Sequence, residues 1–444
     1  MDSGNGNTGQ AGLYRFIVPR VLLVAVVLCS SANAVAGKMA YGEVFVRAVD
    51  DGPGPVSASS AAPGDELAVP DADSAISTGD YLARLEVIEG QGGPYDNSLA
   101  EPLADYARAL GERGDPVAAL GHYRRALHIV RINEGLYSQR QMPLVQEMLE
   151  LYRSTGNLQA LDDQYDYYFR LYGGGQPPLS APRLRAALAY LAWQREAVRR
   201  DLDSDSRYRM LELYQLNESM ITSAADDAAV SDADYVELVL SQLRNLHLLT
   251  ARFEAPLQVS GFAPATPVLG SEWDAQDFTE RRIQDLRRSS LSRGRNLLLD
   301  ASRRVQSAGN VSVVPSLHLA LGDWYQWRGH YARAAEQYRE VVLLLQAQGR
   351  EHDLAQWLGE PVELPQHVQP SGNSAEAEAT LQTRYDVSAS GRVSNIRIEL
   401  QDEADSGRGA RLARALRQTR FRPRWDSGSA EAVAGVARHY KVLK

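Results

Sequence analysis

The side chains best equipped for chemistry are few and scattered. His122 and His128 are not at the spacing that puts two imidazoles on one helical face, so they make no zinc pair. The only cysteine, Cys29, lies in an apolar N-terminal stretch, so the rest of the chain can build neither a thiolate metal site nor an internal disulfide. Leu28 precedes it where an acylated lipoprotein cysteine follows a small residue, and the thiol reads as a small hydrophobe. Glu351-His352-Asp353 is polar, close to a helix end, and reads as solvated. Gly90, Gly92 and Gly93 precede a helical hairpin rather than follow a strand, which makes a poor phosphate cradle. Arg281, Arg282, Arg287, Arg288, Arg293 and Arg295 could meet acidic lipid or protein, but a solvated helical face is the simpler reading. HExxH, Walker and GxSxG patterns are absent. We therefore expect no catalytic residues, metal ligands or cofactor, and a chain that binds rather than reacts.

Length and composition point the same way. The 444 residues suffice for more than one core, and 44% hydrophobic with 23% charged residues is ordinary for a globular chain. A net charge of −9 argues against general nucleic-acid binding. At the N-terminus, Arg15 and Arg20 flank the start of an apolar run, Val21 to Leu28, which small residues from Ser30 to Ala36 follow. This has the form of a cleavable signal peptide over 1–36, with cleavage after Ala34 or Ala36. The alternative is an uncleaved membrane anchor over Phe16 to Ala36. Residues 37–79 are rich in Ala, Gly, Pro, Ser and Asp and read as a disordered acidic linker. Within it, Tyr41 to Val49, with Val44, Phe45 and Val46, could form a strand or dock locally, a minor alternative to the linker reading.

From 80 to 358 apolar residues recur at helical spacing, predicting an all-helical body. Leu82, Leu85 and Ile88 mark the first face; later stripes include Tyr208, Leu211, Leu213 and Tyr214. Residues Ala255 to Trp273 read as a loop before a helix over Arg281 to Val305. Three stretches share a turn signature. Leu321-Gly322-Asp323-Trp324-Tyr325 leads to Gly329-His330, then Ala334, Tyr338 and Val341. Tyr106-Ala107 and Leu110 lead to Gly114-Asp115, then Ala119 and Tyr123. Tyr152 leads to Gly156-Asn157, then Leu161 and Tyr165. Glycine supplies a left-handed helix cap, and Ala119 and Ala334 let two helices approach closely. The pattern resembles the tetratricopeptide repeat, and the resemblance implies a solenoid that holds protein partners.

Tyr165, Tyr167, Tyr168, Phe169 and Tyr172 crowd one helix. Tyr167 and Tyr168 diverge around its axis, so one side cannot bury them all. They could line a peptide groove; packing between helices is the favoured alternative.

After a Pro-rich linker over 359–376 the pattern changes to strand, strand, helix, strand over 377–444. Leu381, Thr383, Tyr385 and Val387 alternate, Ser388 to Gly391 turns, and Val393 to Leu400 forms a second strand. Gly407 to Gln418 is a helix with Leu412, Ala415 and Leu416 on its buried side, and Val433 to Val442 is the last strand. Tyr385-Asp386-Val387, Gly391-Arg392-Val393, Ala415-Leu416, Arg420-Phe421-Arg422-Pro423 and Tyr440-Lys441-Val442 resemble the C-terminal domain of the TonB energy transducers. The resemblance implies docking of an outer-membrane receptor segment by strand addition at the terminal edge strand. On that reading Val433, Val436, Ala437, Arg438, His439, Tyr440, Lys441 and Val442 would contact the partner. Tyr167 and Tyr168 are candidates on the repeat body.

The predicted fold class is therefore mainly α, a helical-repeat solenoid followed by a small α+β domain. The predicted role is a non-enzymatic periplasmic scaffold of a Gram-negative envelope, with protein or peptide partners, an outer-membrane receptor or envelope complex among them. The alternative is a membrane-anchored, TonB-like energy transducer for outer-membrane transport.

Overall fold

The computed structural model describes residues 44–48, 78–253, 271–365, 377–399, 406–426 and 428–443. The signal segment with Cys29, most of the 37–79 linker, the 254–270 part of the expected loop and residues 366–376 lie outside them.

The body is a helical solenoid: α1 (Thr78–Gly92), α2 (Ala100–Glu112), α3 (Pro116–Glu134), α4 (Gln141–Ser154), α5 (Leu158–Leu171), α6 (Ala181–Arg199), α7 (Ser206–Asp226), α8 (Asp232–Arg252), α9 (Ser271–Ser307), α10 (Val314–Trp327), α11 (Tyr331–Ala347) and α12 (Glu351–Leu358). Caps explain several starts: Asp115 accepts from Ala118 N and Asn157 from Ala160 N, each satisfying an orphan donor of the first turn. Turn glycines Gly114, Gly156 and Gly329 take φ of 83°, 68° and 80°, the left-handed values that end one helix so the next can fold back. Ala119 and Ala334 are fully buried, as the close helix approach requires. Gly322 serves that approach too: a Cβ there would lie 2.6 Å from the Tyr338 ring.

Helix α6 joins two cores. Ala186, Trp193 and Ala197 pack into the core of α1 to α5, while Leu184, Ala187, Leu191 and Val198 pack into the core of α7 to α12. A helix buried on opposite sides is what a stacked array demands of its interior members. Each large apolar side chain so buried contributes about 1.5–3 kcal/mol.

The C-terminal module holds β3 (Ala377–Val387), β4 (Val393–Glu399), α13 (Ser406–Gln418) and β8 (Val433–Leu443), as predicted. β1 (Val44–Ala48) falls in the Tyr41 to Val49 segment read as a possible strand, whereas the sequence pattern did not foretell β2 (Val362–Leu364), β5 (Arg420–Arg422), β6 (Arg424–Asp426) and β7 (Ser429–Glu431). The main sheet runs β1-β8-β3-β4; β2 pairs with β5 and β6 with β7.

Several expectations need correction. The 37–79 stretch is not linker throughout, because Val44–Ala48 joins the main sheet. The loop expected to reach Trp273 ends earlier, as α9 begins at Ser271. Leu82 is 45% exposed and Tyr208 60% exposed, so neither lies on the face its helix buries. In α1 that face is set by Leu85, with Tyr81 and Ile88 packed beside it, and in α7 by Met210, Leu211, Leu213 and Tyr214. Among the described residues no helix is long and apolar enough to cross a membrane.

Candidate docking site on the C-terminal sheet

Alternation builds the sheet. Leu381, Thr383, Tyr385 and Val387 of β3 are all buried, and Leu381 and Tyr385 pair with Tyr440 and Val436 of β8. Leu412 and Leu416 of α13 complete this small core. Below it, the Tyr385 and Tyr440 hydroxyls lie 3.1 Å apart, and Tyr440 donates to the Glu363 carboxylate of β2. Burial first, and Glu363 second, push the Tyr440 phenol far above its ordinary range, so it stays a neutral donor.

Strand β8 was expected to be the sheet's edge. That holds only for its first half. Backbone partners run from His439 with Ala48 to Leu443 with Val44, so β1 covers residues 439–443. Over Val433 to Arg438, β8 pairs with β3 on one side, and among the described residues no strand pairs with it on the other. Unpaired N–H and C=O groups there can accept an extended peptide. The side chains divide by the period of two. Val436 and Tyr440 point into the core, and Arg438 on that face pairs with Glu360 at 2.7 Å. Ala437 is exposed on the other face; Val433 and His439 are half-buried. Lys441 and Val442 are paired in backbone on both sides.

A single carboxylate organises the start of the open stretch. Asp386 of β3 accepts from Asn395 Nδ2 of β4 at 2.6 Å and from Gly435 N of β8 at 2.8 Å. Asn395 and Gly435 have φ of 52° and 69°, and the register of β3 shifts against both neighbours beside Asp386. These are bulges, and the carboxylate ties both of them. The Asn395 bond, then the Gly435 amide, hold the Asp386 carboxyl below the usual range.

The sheet is fixed to the last repeat by a polar seam. Gln326 Nε2 of α10 donates to the carbonyls of Ser390 and Phe421, both at 2.9 Å. Arg422 of β5 donates from Nη1 to the Trp357 carbonyl at 2.8 Å. Its Nε lies 3.2 Å from Asp323 Oδ1, an ion pair without a hydrogen bond. Tyr338 donates to the same carboxylate at 2.9 Å, and Trp425 packs on the Tyr338 ring with centroids 5.5 Å apart.

The other candidate residues are not brought to this site. Tyr168 is buried and accepts from Gln146; Tyr167 donates to Gln141 and carries the Arg131 guanidinium 4.3 Å above its ring. Tyr165 stacks on Trp193 and Phe169 on Tyr190, with interplanar angles of 8° and 2°. The cluster is used for packing between helices. His122 packs on Tyr106 and His128 on Tyr95. Of the α9 arginines, Arg293 donates to Ser289 and Arg287 to Gln284. Among the described residues no group of His, Cys, Asp or Glu is placed to hold a metal ion. Sequence reading missed Gln326 and Glu363 and named Asp386 and Arg422 only as parts of motifs, because their partners on other elements cannot be read from the local pattern.

No protein-family model matches the chain, and no curated protein is similar to it. Among solved structures it is similar to a circular tandem repeat protein with novel repeat topology and enhanced subunit contact surfaces. The identity is 13% over 63% of this chain and 68% of that one, with a TM-score of 0.29. So loose a likeness bears on no functional question, and the solenoid rests on the chain's own geometry.

Proposed function

We propose that the chain is a non-enzymatic scaffold of the cell envelope. Its tetratricopeptide-like repeats hold a protein partner, and its TonB-like C-terminal module docks a second, extended partner by strand addition on β8. The export reading of residues 1–36 places it in the periplasm. The observation that carries the proposal is the open side of β8 over Val433 to Arg438, on a sheet bonded to the last repeat. Main-chain pairing there provides affinity, and the side chains of the added strand select the partner. Arg438 is engaged by Glu360 at 2.7 Å and by the Ala437 carbonyl at 3.2 Å, so its charge is paired rather than projecting freely from the strand. The seam favours docking over transduction, since Gln326 and Arg422 tie the module to the repeats rather than to an extensible spacer.

A photo-crosslinking residue at exposed Ala434 tests this in the native envelope, with exposed Val117 of α3 as the distant control. A discrete adduct at 434 that is absent at 117 is expected. Identical adducts at both positions, or none at 434, would overturn the docking proposal. Sequencing the mature N-terminus separates the two envelope readings: a start at Val35 or Gly37 supports the free scaffold, and an intact Met1 the anchored transducer.

A further inference from the structure

Arg195 is buried in the middle of the solenoid, where α6 meets α8, with 5% of its surface exposed. A buried guanidinium is normally answered by a carboxylate. Here the acceptors are neutral: Nη1 donates to Ser241 Oγ and to Asn245 Oδ1, both at 2.9 Å. Asn245 is itself held by Gln242 at 2.8 Å, and Gln242 by the Tyr214 carbonyl at 3.1 Å. The nearest acid in sequence, Glu196, is turned away to Arg153 at 3.3 Å and Arg200 at 2.9 Å. Among the described residues no carboxylate pairs with Arg195, and its hydrogen bonds to Ser241 and Asn245 all leave from Nη1.

Two more cations stand close by. Burial pulls the Arg195 guanidinium down to about 9, and the positive charges of Arg244 and Arg199 add to that. Arg199 lies one helical turn further along α6 and is exposed. Arg244 lies on α8 between Ser241 and Asn245, is partly exposed, and reaches Glu237 only at 3.9 Å. Polar side chains therefore hold one edge of a buried guanidinium. The opposite edge is the Nε–Nη2 fork, whose two parallel donors match a pair of oxygens on one anion.

We propose that Arg195, Arg199 and Arg244 form an oxyanion-binding site on the repeat body, taking a carboxylate or phosphate group on the Nε–Nη2 edge of Arg195. Arg199 and Arg244 add positive charge beside it. The site is separate from the C-terminal sheet and does not depend on how β8 is used.

Calorimetric titration of the full-length protein tests it, with inorganic phosphate in one arm and succinate in the other, at fixed ionic strength made up with chloride. Saturable binding of at least one probe is expected, and the tighter arm assigns the anion class. Arg199→Gln and Arg244→Gln change side chains that reach solvent and leave the fold intact, so each should weaken binding by about tenfold, the scale of one charge-assisted contact. Arg195→Met should abolish binding; if it unfolds, the two outer variants still decide. No heat from the parent in either arm, or affinities unchanged in both outer variants, would leave Arg195 as a purely internal strut and overturn the proposal.

Discussion

Asp323 of α10 and Arg422 of β5, almost a hundred residues apart in sequence, meet at 3.2 Å inside the seam between the last repeat and the C-terminal sheet. The Arg422 side chain is 3% exposed and that of Asp323 18%. Removing either partner leaves the other charge buried and unanswered. Asp323→Ala should therefore destabilise the folded chain by about 3–5 kcal/mol, while replacing both residues by apolar ones of similar volume should cost much less. Urea unfolding of the single and double variants checks this; a double variant as unstable as the sum of the two singles would mean the charges do not act as a pair.

The same carboxylate predicts a pH dependence. Burial raises the Asp323 carboxyl above its ordinary value of 3.8, against the opposing help of Arg422 and the Tyr338 hydroxyl. Between the ordinary and the raised value the folded chain binds more protons than the unfolded one, so this group's contribution to stability falls as pH rises through that window. Asp323→Asn keeps an acceptor for Tyr338 but cannot titrate. Its stability, measured by denaturant unfolding at a series of pH values, should lack that downward slope. An identical slope in parent and variant would assign it to other groups.

Two glycines should respond differently to a side chain. Gly329 has φ of 80° and open space around it; a Cβ there would meet nothing closer than the Tyr331 hydroxyl at 4.0 Å. Gly329→Val should therefore cost only the backbone strain, about 1–2 kcal/mol. Gly391 has φ of 72°, and a Cβ there would overlap the Phe421 carbonyl oxygen and the Gln326 amide. Gly391→Ala should cost more than the valine at 329, although alanine is smaller, because it also forces the turn off α10. Thermal melts of the two variants side by side give the order; the reverse order would place the turn elsewhere.

Ala119→Phe and Ala334→Phe should each lower stability by about 1–3 kcal/mol or more, since both alanines are fully buried where helices cross. Melting curves matching the parent would contradict the packing of α2 on α3 and of α10 on α11.

These alanines and the turn glycines were legible because their roles depend on a local period: a cap after one helix and a small residue a few positions into the next. The inward alternation of Leu381, Thr383, Tyr385 and Val387 was legible for the same reason. The seam was not. Gln326 reads as one polar residue in an apolar helix, and nothing nearby signals that its amide reaches Ser390 and Phe421. The sheet's true edge was also hidden. Val44 to Ala48 has strand composition, but composition does not name the partner of a strand almost four hundred residues away in sequence. Ala437 illustrates the consequence: it pairs with Arg384 of β3, so a proline there would strike the inner ladder along with the open side.

A cleaner probe acts on β1. Val46 pairs with Lys441 at the centre of the β1–β8 ladder, so Val46→Pro should unseat the strand. Hydrogen–deuterium exchange should then quicken over residues 439–443 and stay unchanged over the paired β3 amides. Unchanged exchange at 439–443 would show that β1 does not cover that half of β8.

The ladder of β8 with β3 also sets how the chain bears tension. Antiparallel hydrogen bonds lie across the strand direction, so a pull along β8 shears many of them at once instead of peeling them singly. Gln326 and Arg422 then carry that load into α10 and α12. A partner strand added to Val433–Arg438 would therefore load this ladder in shear.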